Sequence, residues 1–479
     1  MDIALQYVRQ SKVTRSLLEG KVRDGRNEKI PHRHAYVLLR SQARHFFTQR
    51  QPPRMIALSG LRGVGKTTLA WQTAHYVYHH FTKSIYYINV DEIVRYDLSI
   101  LDVIKALEEH LKRPLTALDT PIMLIFDEVH EAAHWQKDLK ILYDRSDMVF
   151  VIATGSSALQ LHNSPDLATR WYLLKIYPFS FSEFILARSW MLSPHRLIFP
   201  IRGLSATLRD ALLYAQSFEA AKKALDARIK QVQKYLSTIE THFDAPIQHL
   251  VNEYISYYNI ARFLPFQNKI IIIDSILELL NRIFTEDIPH STPLQIGLYH
   301  RLLRRIAESD TVHLQTLSKE FRISETEVEH FITTLTQAEI LLTLYPHGGI
   351  RTKTGMLRKP LFLSPSIRRA LFSQPYRNRI PISLKAKLYE DITAMYLRRI
   401  LSEGLLNFGY GKKKNPDFVI ETHNSPIIIE VGQSKRSTAQ ITQYGPYRYG
   451  ILLNAKYQTV DYDPTHRVIH LPLSWFLLL

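Results

Sequence analysis

A strand, a glycine-rich loop and a helix follow one another in the segment IALSGLRGVGKTTLA, and this succession limits the fold more than any other feature. Residues 55–59 form a short apolar run, residues 60–67 match G-x-x-x-x-G-K-T, and the composition from Thr68 onward favours a helix. The glycines let the backbone curl so that its N–H groups face an anion at the positive end of that helix. The segment therefore predicts a phosphate-binding loop.

The chemistry of this loop indicates ATP and Mg²⁺ as cofactors. Lys66 is expected to reach the β and γ phosphates, and the Thr67 hydroxyl is expected to bind the metal ion. The predicted nucleotide ligands are Gly60, Gly63, Gly65, Lys66, Thr67 and Thr68.

Two further apolar runs end in polar residues that suit the same chemistry. The run before Asp127 and Glu128 has the composition of a parallel strand covered on both faces, and ligands gather at the carboxyl ends of such strands. Asp127 is expected to hold the metal ion through water, and Glu128 to orient or deprotonate the attacking water. A third strand, MVFVIAT, brings Thr154 or Ser156 toward the γ phosphate, unless the residue is instead a helix N-cap.

The order GLRGVGKTTLA, LIFDEVHEAAHWQKDLKILYDR, VIATGSSALQL and LATRWYLLKIYPFSFSEFIL resembles a known family. It is similar to the AAA+ ATPases of archaea and bacteria that carry a winged helix and a C-terminal restriction-endonuclease-like domain. Trp135 and the run Pro178 to Phe184 are typical of that family. The resemblance implies homo-oligomers in which Arg170 stabilises charge on the phosphoryl group bound to a neighbouring subunit, although a structural salt bridge is an equal alternative.

The resemblance and the residue patterns together predict an α/β protein with a P-loop AAA+ core and a helical lid, followed by a winged helix and an α/β restriction-endonuclease-like domain. The expected segments are a basic N-terminal segment (1–53), the AAA+ core (54–185), a helical lid and insertion (186–290), the winged helix (291–371) and the nuclease-like domain (372–479). The helices of the insertion could enlarge the lid or form an oligomer contact.

The expected winged helix has basic residues in its hairpin and acidic residues on its third helix. The basic residues of the hairpin and the following strand are Arg351, Lys353, Arg358 and Lys359, whereas the third helix carries Glu325, Glu327 and Glu329. An acidic helix is poorly suited to the major groove, so we expect the hairpin to hold DNA phosphates, or the whole module to bind a protein.

The last hundred residues contain three carboxylates with the order and spacing of a PD-(D/E)xK nuclease: Glu390, Asp417 and Glu430. Such carboxylates can hold a divalent ion that activates water against a phosphodiester. Gly432, however, stands where the signature places lysine, and Lys435 reaches back only if the chain turns at that glycine. The fold is therefore better supported than DNA cleavage, and Lys412, Lys413 and Lys414 suit phosphate contact in either case.

The charge of the chain points to an anionic partner. The net charge is +17 over 479 residues, and residues 1–54 hold twelve Lys/Arg against four Asp/Glu. DNA is the expected partner, with an acidic protein as the alternative. The chain has no cysteine and no apolar run long enough for a membrane helix, and its start is polar, so we expect a cytoplasmic protein without membrane segments.

These features favour an ATP-binding and ATP-hydrolysing protein that couples its nucleotide state to DNA binding. Two alternatives remain. One is an ATP-gated, metal-dependent DNA endonuclease, and the other is an ATP-driven signalling or assembly switch that binds protein instead of DNA.

Overall fold

The computed structural model describes residues 3–155, 170–192, 197, 201–288, 293–349, 357–376, 381–402, 404–411 and 414–479. The chain divides into two compact units, Met1–Tyr177 and Pro178–Leu479, and each is described separately below. Ser156, Arg351, Lys353, Lys412 and Lys413 lie outside the described residues. Within the described part, no helix is both long and apolar enough to span a bilayer.

The first unit is built on a parallel five-stranded sheet in the order β2-β3-β4-β1-β5. Its strands are β1 (Met55–Ser59), β2 (Ile85–Asn89), β3 (Ile122–Asp127), β4 (Val149–Thr154) and β5 (Tyr172–Lys175). Its helices are α1 (Ile3–Ser11), α2 (Arg15–Lys21), α3 (His34–Gln49), α4 (Lys66–His80), α5 (Val90–Arg95), α6 (Ile100–Leu111) and α7 (Trp135–Arg145), with short 3₁₀ turns at Leu115–Ala117 and Val129–Glu131.

The sequence of the central strands explains their position in this sheet. All residues of β1, β3 and β4 are buried, as expected for apolar strands covered on both faces. Strands β4, β3 and β2 lie on one side of β1, and β5 lies on its other side. This arrangement places a crevice at the carboxyl end of β1, where the glycine-rich loop begins. The predicted α/β architecture with a parallel sheet is confirmed for this unit.

The basic N-terminal segment is packed on this sheet and is not a separate arm. The Val13 backbone N–H donates to the Ile85 carbonyl at 2.8 Å. On α3, Phe46 and Phe47 are buried against Phe150 of β4 with ring centroids 5.4 and 5.8 Å apart. The buried apolar residues of the segment therefore belong to the core of the first unit.

The second unit begins with helices and ends with a mixed sheet. Its helices are α8 (Phe181–Leu192), α9 (Ile201–Arg209), α10 (Phe218–Asp226), α11 (Ile229–Phe243), α12 (Ile247–Glu253), α13 (Lys269–Arg282), α14 (Pro293–Glu308), α15 (Leu314–Phe321), α16 (Glu325–Gln337), α17 (Pro365–Tyr376), α18 (Ile382–Ile400), α19 (Ala439–Thr442) and α20 (Leu473–Phe476). Single π-helical turns follow α9, α12 and α13 at Asp210–Tyr214, Tyr254–Tyr258 and Ile283–Asp287, and a 3₁₀ turn covers Ala261–Phe263.

Helices α14 to α16 precede a small antiparallel sheet in the order β6-β8-β7, made of β6 (Val312–His313), β7 (Leu341–Leu344) and β8 (Leu357–Phe362). The sequence S-E-T-E at residues 324–327 is the pattern of a capping box, and the structure has one at the start of α16: Ser324 accepts from the Glu327 N–H, and the Glu327 carboxylate accepts from the Ser324 N–H. The predicted order of three helices and a hairpin therefore agrees with the observed elements.

The C-terminal sheet has the order β13-β14-β12-β11-β10-β9. Its strands are β9 (Leu406–Asn407), β10 (Phe418–Ile420), β11 (Ile427–Gly432), β12 (Gly450–Asn454), β13 (Asp461–Asp463) and β14 (Val468–Pro472). The helical insertion packs against this sheet: the Tyr449 hydroxyl donates to the Leu212 carbonyl at 3.1 Å, and Arg448 donates to the Ala215 carbonyl at 3.0 Å. At least this part of the insertion therefore supports the C-terminal sheet.

The run Pro178 to Phe184 is an anchor inside the second unit. Phe181 and Phe184 are fully buried and pack on Tyr254 at centroid distances of 5.5 Å. The Phe181 N–H donates to the Tyr396 hydroxyl at 2.6 Å, and that hydroxyl donates to the Leu477 carbonyl at 2.9 Å. The run thus joins the first helices of this unit to α18 and to the C-terminal end of the chain.

A buried ion pair connects the small antiparallel sheet to the helices beside it. Arg368 on α17 donates from Nε and Nη2 to Asp391 on α18 at 2.6 and 2.9 Å, and both side chains are almost fully buried. Arg368 also donates to the Ala307 carbonyl, and Asp391 accepts from the Phe362 N–H at 2.8 Å. Four elements therefore meet at one charge pair.

Removing Asp391 should destabilise the second unit strongly, because a buried guanidinium would lose its partner. We expect Asp391→Ala to lower the free energy of unfolding by about 3–5 kcal/mol, measured by urea denaturation followed by circular dichroism. Glu278→Ala, which removes an exposed i,i+4 pair with Arg282, is the matched control and should cost less than about 1 kcal/mol. Equal losses in the two variants would contradict a structural role for the buried pair.

Candidate active site

The loop between β1 and α4 has the backbone that an anion requires. Gly60, Gly63 and Gly65 all have positive φ, at 153°, 86° and 99°. A Cβ on Gly60 would lie 2.3 Å from the Ile176 carbonyl oxygen, so this position has no room for a side chain. Lys66 is 7% exposed, and its amino group donates to the Gly60 carbonyl at 2.7 Å, directly over the loop. The predicted loop residues are therefore brought together around one concave backbone.

Asp127 is the point where the elements around this loop converge. The Thr67 hydroxyl donates to its two carboxylate oxygens at 3.0 and 3.2 Å, and the Tyr87 hydroxyl donates at 2.6 Å. The Thr154 hydroxyl also donates to Asp127. Hydroxyls from α4, β2 and β4 thus surround a carboxylate at the end of β3. Thr67 and Asp127 together offer the oxygen donors that Mg²⁺ prefers.

Glu128 follows in a conformation that is uncommon for a side chain of its type. Its φ is 57°, in the left-handed region, and its backbone N–H donates to the Thr154 hydroxyl at 3.3 Å. A non-glycine residue held there costs about 1–3 kcal/mol and is typical of functional sites. The His130 ring nitrogen lies 3.5 Å from the Glu128 carboxylate. The turn thus directs Glu128 away from the position that a continued strand would give it.

Two residues of this site were missed by the sequence analysis. Tyr87 donates to Asp127 and stacks on Trp71 of α4, with ring centroids 4.5 Å apart. Burial and the Asp127 charge raise the pKa of Tyr87, so its hydroxyl keeps its proton. Arg33, assigned only to the basic segment, donates to the Val64 carbonyl at 2.6 Å and to the Tyr177 carbonyl at 2.8 Å. The apolar run of β2 could have indicated a strand of this sheet that carries Tyr87. No local sequence pattern indicates a role for Arg33.

Arg170 is held in an ion pair within its own chain. Its Nε donates to Asp144 of α7 at 3.2 Å, and its guanidinium lies 5.7 Å from the Tyr143 ring centroid. The salt-bridge alternative for this residue is therefore the geometry observed in the isolated chain.

The three carboxylates of the C-terminal domain also meet, around the β10–β11 pair. The Asp417 N–H donates to the Glu430 carboxylate at 3.1 Å, and the Val431 N–H donates to the Asp417 carboxylate at 3.0 Å. Glu390 of α18 joins them through Lys359, as described below. We refer to Glu390, Asp417 and Glu430 as the carboxylate cluster.

Lys435 reaches back to this cluster because the chain turns at Gly432. Strand β11 ends at Gly432, and the Lys435 amino group pairs with the Glu430 carboxylate. A Cβ on Gly432 would lie 2.8 Å from the Lys435 Cβ. The glycine thus leaves the space through which the lysine passes.

A second lysine enters the cluster from β8. The Lys359 amino group lies 2.7 Å from the Glu390 carboxylate and 3.1 Å from the Asp417 carboxylate, and the residue is 5% exposed. Burial lowers the pKa of Lys359, but the two carboxylates outweigh it, so the pKa is raised and the amino group stays charged. Burial and Asp417 raise the pKa of Glu430 to about 9. Burial and Asp417 also raise the pKa of the Glu390 carboxyl.

The prediction that β8 residues hold DNA phosphates needs correction. Arg358 is 7% exposed and lies 3.1 Å from Glu329 of α16, and Lys359 is turned into the carboxylate cluster. Neither side chain presents its charge to solvent. Lys414 is exposed, as expected for a phosphate contact.

Comparison with known proteins agrees with the geometry of the first site. Residues 52–185 match a sequence family described as AAA domain. The match spans the glycine-rich loop, Asp127, Glu128 and Thr154. Two uncharacterized proteins of Methanocaldococcus jannaschii are similar over most of their length: one is 26% identical, covering 82% of this chain and 79% of the relative, and the other is 23% identical, covering 79% and 74%.

Solved structures of AAA+ proteins are similar at lower identity. The Thermotoga maritima RuvB Holliday junction branch migration motor aligns at 16% identity and a TM-score of 0.29, covering 74% of this chain and 96% of that structure. The Aeropyrum pernix Orc1 protein in complex with DNA aligns at 15% identity and a TM-score of 0.34, covering 72% and 94%.

A side chain at Gly60 should damage the phosphate loop selectively. Gly60→Ala must move the loop away from the Ile176 carbonyl, at a strain of about 1–3 kcal/mol, so we expect ATP affinity to fall by roughly tenfold to a hundredfold in isothermal titration calorimetry. Gly203→Ala is the matched control, since a Cβ there meets no atom within 4 Å. Unchanged ATP affinity in Gly60→Ala would contradict the assignment of the loop.

Proposed function

We propose that the protein binds and hydrolyses ATP in the first unit and couples the nucleotide state to DNA binding. The observation that carries the proposal is the convergence of Thr67, Tyr87 and Thr154 on Asp127 beside a glycine loop capped by Lys66. A lone motif would leave these groups apart. Here the strands β1 to β4 and the helix α4 bring these groups together where phosphates and Mg²⁺ would bind.

Each residue has a role that follows from its position. The loop N–H groups and Lys66, which would leave the Gly60 carbonyl, bind phosphate oxygens. Thr67 and Asp127 would hold Mg²⁺, which would neutralise phosphate charge. Glu128 accepts the proton of the attacking water, and Thr154, which contacts both acidic residues, orients it. In a homo-oligomer, Arg170 would exchange Asp144 for the phosphates of the neighbouring subunit.

The DNA contact in this proposal lies mainly on α3. Exposed residues of this helix line a cleft of 650 Å³ together with Tyr76 of α4. The lining includes Arg40, Ser41, Arg44, His45 and Thr48, all of which can donate hydrogen bonds to phosphate, and it includes no carboxylate. The arginines of this cleft are exposed, whereas the β8 cations Arg358 and Lys359 are buried. The elements of residues 293–362 have the order of a winged helix, and Lys414 could add a contact.

Helix α4 provides a physical connection between ATP and this cleft. The helix begins at Lys66 and Thr67 in the phosphate loop and reaches the cleft at Tyr76, whose ring lies 5.8 Å from the Arg40 guanidinium. A shift of the helix on nucleotide binding would move a wall of the cleft. The proposal therefore places ATP and DNA at the two ends of one rigid element.

Loss of the proposed base should stop hydrolysis without preventing ATP binding. Glu128→Gln removes the proton acceptor but keeps the shape of the side chain, so we expect the ATP turnover rate to fall by about 10²–10⁴-fold with nearly unchanged ATP affinity. Steady-state phosphate release and calorimetry measure the two quantities. Glu92→Gln, an exposed acid on α5, is the control. Full turnover in Glu128→Gln would refute the assignment.

The carboxylate cluster supports a second candidate function, an ATP-gated DNA endonuclease. Its oxygens suit a divalent ion, which would supply an activated water for attack on a phosphodiester. Lys435 stands close to the position that the signature gives to its lysine, since it pairs with Glu430 through the space above Gly432. The carboxylate cluster and Lys435 together therefore provide the residue types of a nuclease site.

Lys359 would keep this nuclease inactive in the observed conformation. Its amino group lies within 3.1 Å of both Glu390 and Asp417, where an ion shared by these carboxylates would have to bind. A buried ammonium and a divalent cation cannot occupy the same place, because their charges repel. Cleavage would require β8 to withdraw from the cluster, and ATP-driven movement is the proposed cause.

Removing the Lys359 charge should therefore open the cluster to metal. In nucleotide-free protein, we expect Lys359→Met to bind Mn²⁺ at least about tenfold more tightly than wild type, a change of about 1.4 kcal/mol, when free Mn²⁺ is counted by electron paramagnetic resonance. Arg358→Met is the matched control, since it removes a neighbouring buried cation that pairs with Glu329 and not with the cluster. Equal Mn²⁺ affinity in wild type and Lys359→Met, both folded, would contradict the competition.

A further inference from the structure

A group of metal-type ligands lies on the first unit, away from Asp127. His75 and His79 are one turn apart on α4, and Glu19 faces them from α2. The Glu19 Oε1 atom lies 3.2 Å from His75 Nε2 and 3.8 Å from His79 Nε2, and within the described chain all three ligand atoms fall within 4.8 Å of one another. The i,i+4 spacing puts both imidazoles on one face of the helix.

The distances suit a small tetrahedral ion. Zinc bonds of about 2.0–2.2 Å to nitrogen and oxygen place neighbouring ligand atoms roughly 3.3–3.5 Å apart. The two separations from Glu19 bracket that value, so small side-chain rotations would complete the geometry. Each side chain is between 23% and 32% exposed, which leaves an opening to solvent on the fourth side.

Arg23 fixes the orientation of the carboxylate. Its guanidinium donates to Glu19 Oε2 at 3.2 Å and to the Asn27 carbonyl at 2.8 Å. The other oxygen, Oε1, is thereby turned toward the two histidines. Such second contacts that hold a ligand in place are typical of metal sites, in which they increase the affinity.

We propose that Glu19, His75 and His79 form a site for a transition-metal ion of the Zn²⁺ class, with water as the fourth ligand. Imidazole nitrogen favours Zn²⁺, Ni²⁺ or Co²⁺, whereas Mg²⁺ prefers oxygen ligands. The site is therefore chemically distinct from the Mg²⁺ that the ATP site would use, and it does not rest on the proposed ATPase or DNA-binding function.

An ion at this site would join the N-terminal segment to the helix of the phosphate loop. Helix α2 carries one ligand and α4 carries two, so the ion would act as a cross-link between them. Because the ion would bind the folded arrangement and not the unfolded chain, it should raise the melting temperature of the first unit.

The test uses the full chain without nucleotide, and Zn²⁺ and Co²⁺ as probes. We expect calorimetry to find a Zn²⁺ equivalent that is lost, or weakened at least tenfold, in His79→Gln and in Glu19→Gln. Co²⁺ should give the ligand-field absorption of a four-coordinate site in wild type and not in these two variants. Both altered side chains are partly exposed, so the variants should fold, and circular dichroism checks this.

His80→Gln is the matched control. His80 is adjacent to His79 and exposed, but its ring bonds the Tyr76 carbonyl on the same helix, so it should retain the Zn²⁺ equivalent and the Co²⁺ spectrum. The proposal is overturned if His79→Gln and His80→Gln bind the same number of Zn²⁺ ions with the same affinity. ATP turnover is measured separately, so its loss or retention does not affect this result.

Discussion

The carboxylate of Asp127 is the group on which the candidate active site of the first unit depends. Side-chain hydroxyls from three different elements donate to it, and each of these elements is placed by the buried parallel sheet. Without the sheet order β2-β3-β4-β1-β5, Tyr87 and Thr154 would not flank the end of β3. Directly after Asp127 the chain turns at Glu128, whose left-handed backbone directs the next carboxylate to another position.

The second unit uses charge in the opposite way. Around Asp127, neutral donors leave a negative group able to bind a cation. Around Glu390 and Asp417, the ammonium of Lys359 already supplies the cation. Buried carboxylates need such compensation, because an uncompensated buried charge would be very costly. A site that carries its own cation can stay folded without metal, and it can admit metal only when that cation moves.

The sequence predicted what depends on neighbours along the chain. The loop from Gly60 to Thr67, the strand that ends at Asp127, and the capping box of α16 are local patterns, and the structure has each of them. The turn that brings Lys435 back to Glu430 was also open to prediction, since it depends on a single glycine. The contacts that Lys359 and Arg33 make with distant residues were not predictable, because no motif includes them. Lys359 lies 58 residues before Asp417. The basic residues around it suggested an exposed hairpin, whereas the Lys359 side chain is buried. Arg33 looked like part of a basic surface for the same reason.

In the proposed function ATP and DNA act on the two ends of α4, and DNA affinity in defined nucleotide states tests this coupling most directly. Fluorescence anisotropy of a short duplex would be measured over a range of NaCl concentrations, for nucleotide-free protein and for the ATP-bound Glu128→Gln trap. The account predicts a difference in affinity of at least about fivefold between the two states. A plot of the logarithm of the binding constant against the logarithm of the NaCl concentration gives a negative slope. The double variant Arg40→Gln/Arg44→Gln should make this slope less steep by roughly 0.9 for each DNA phosphate that the protein no longer neutralises. The same affinity in both states, with a salt dependence unchanged by the two substitutions, would contradict the account.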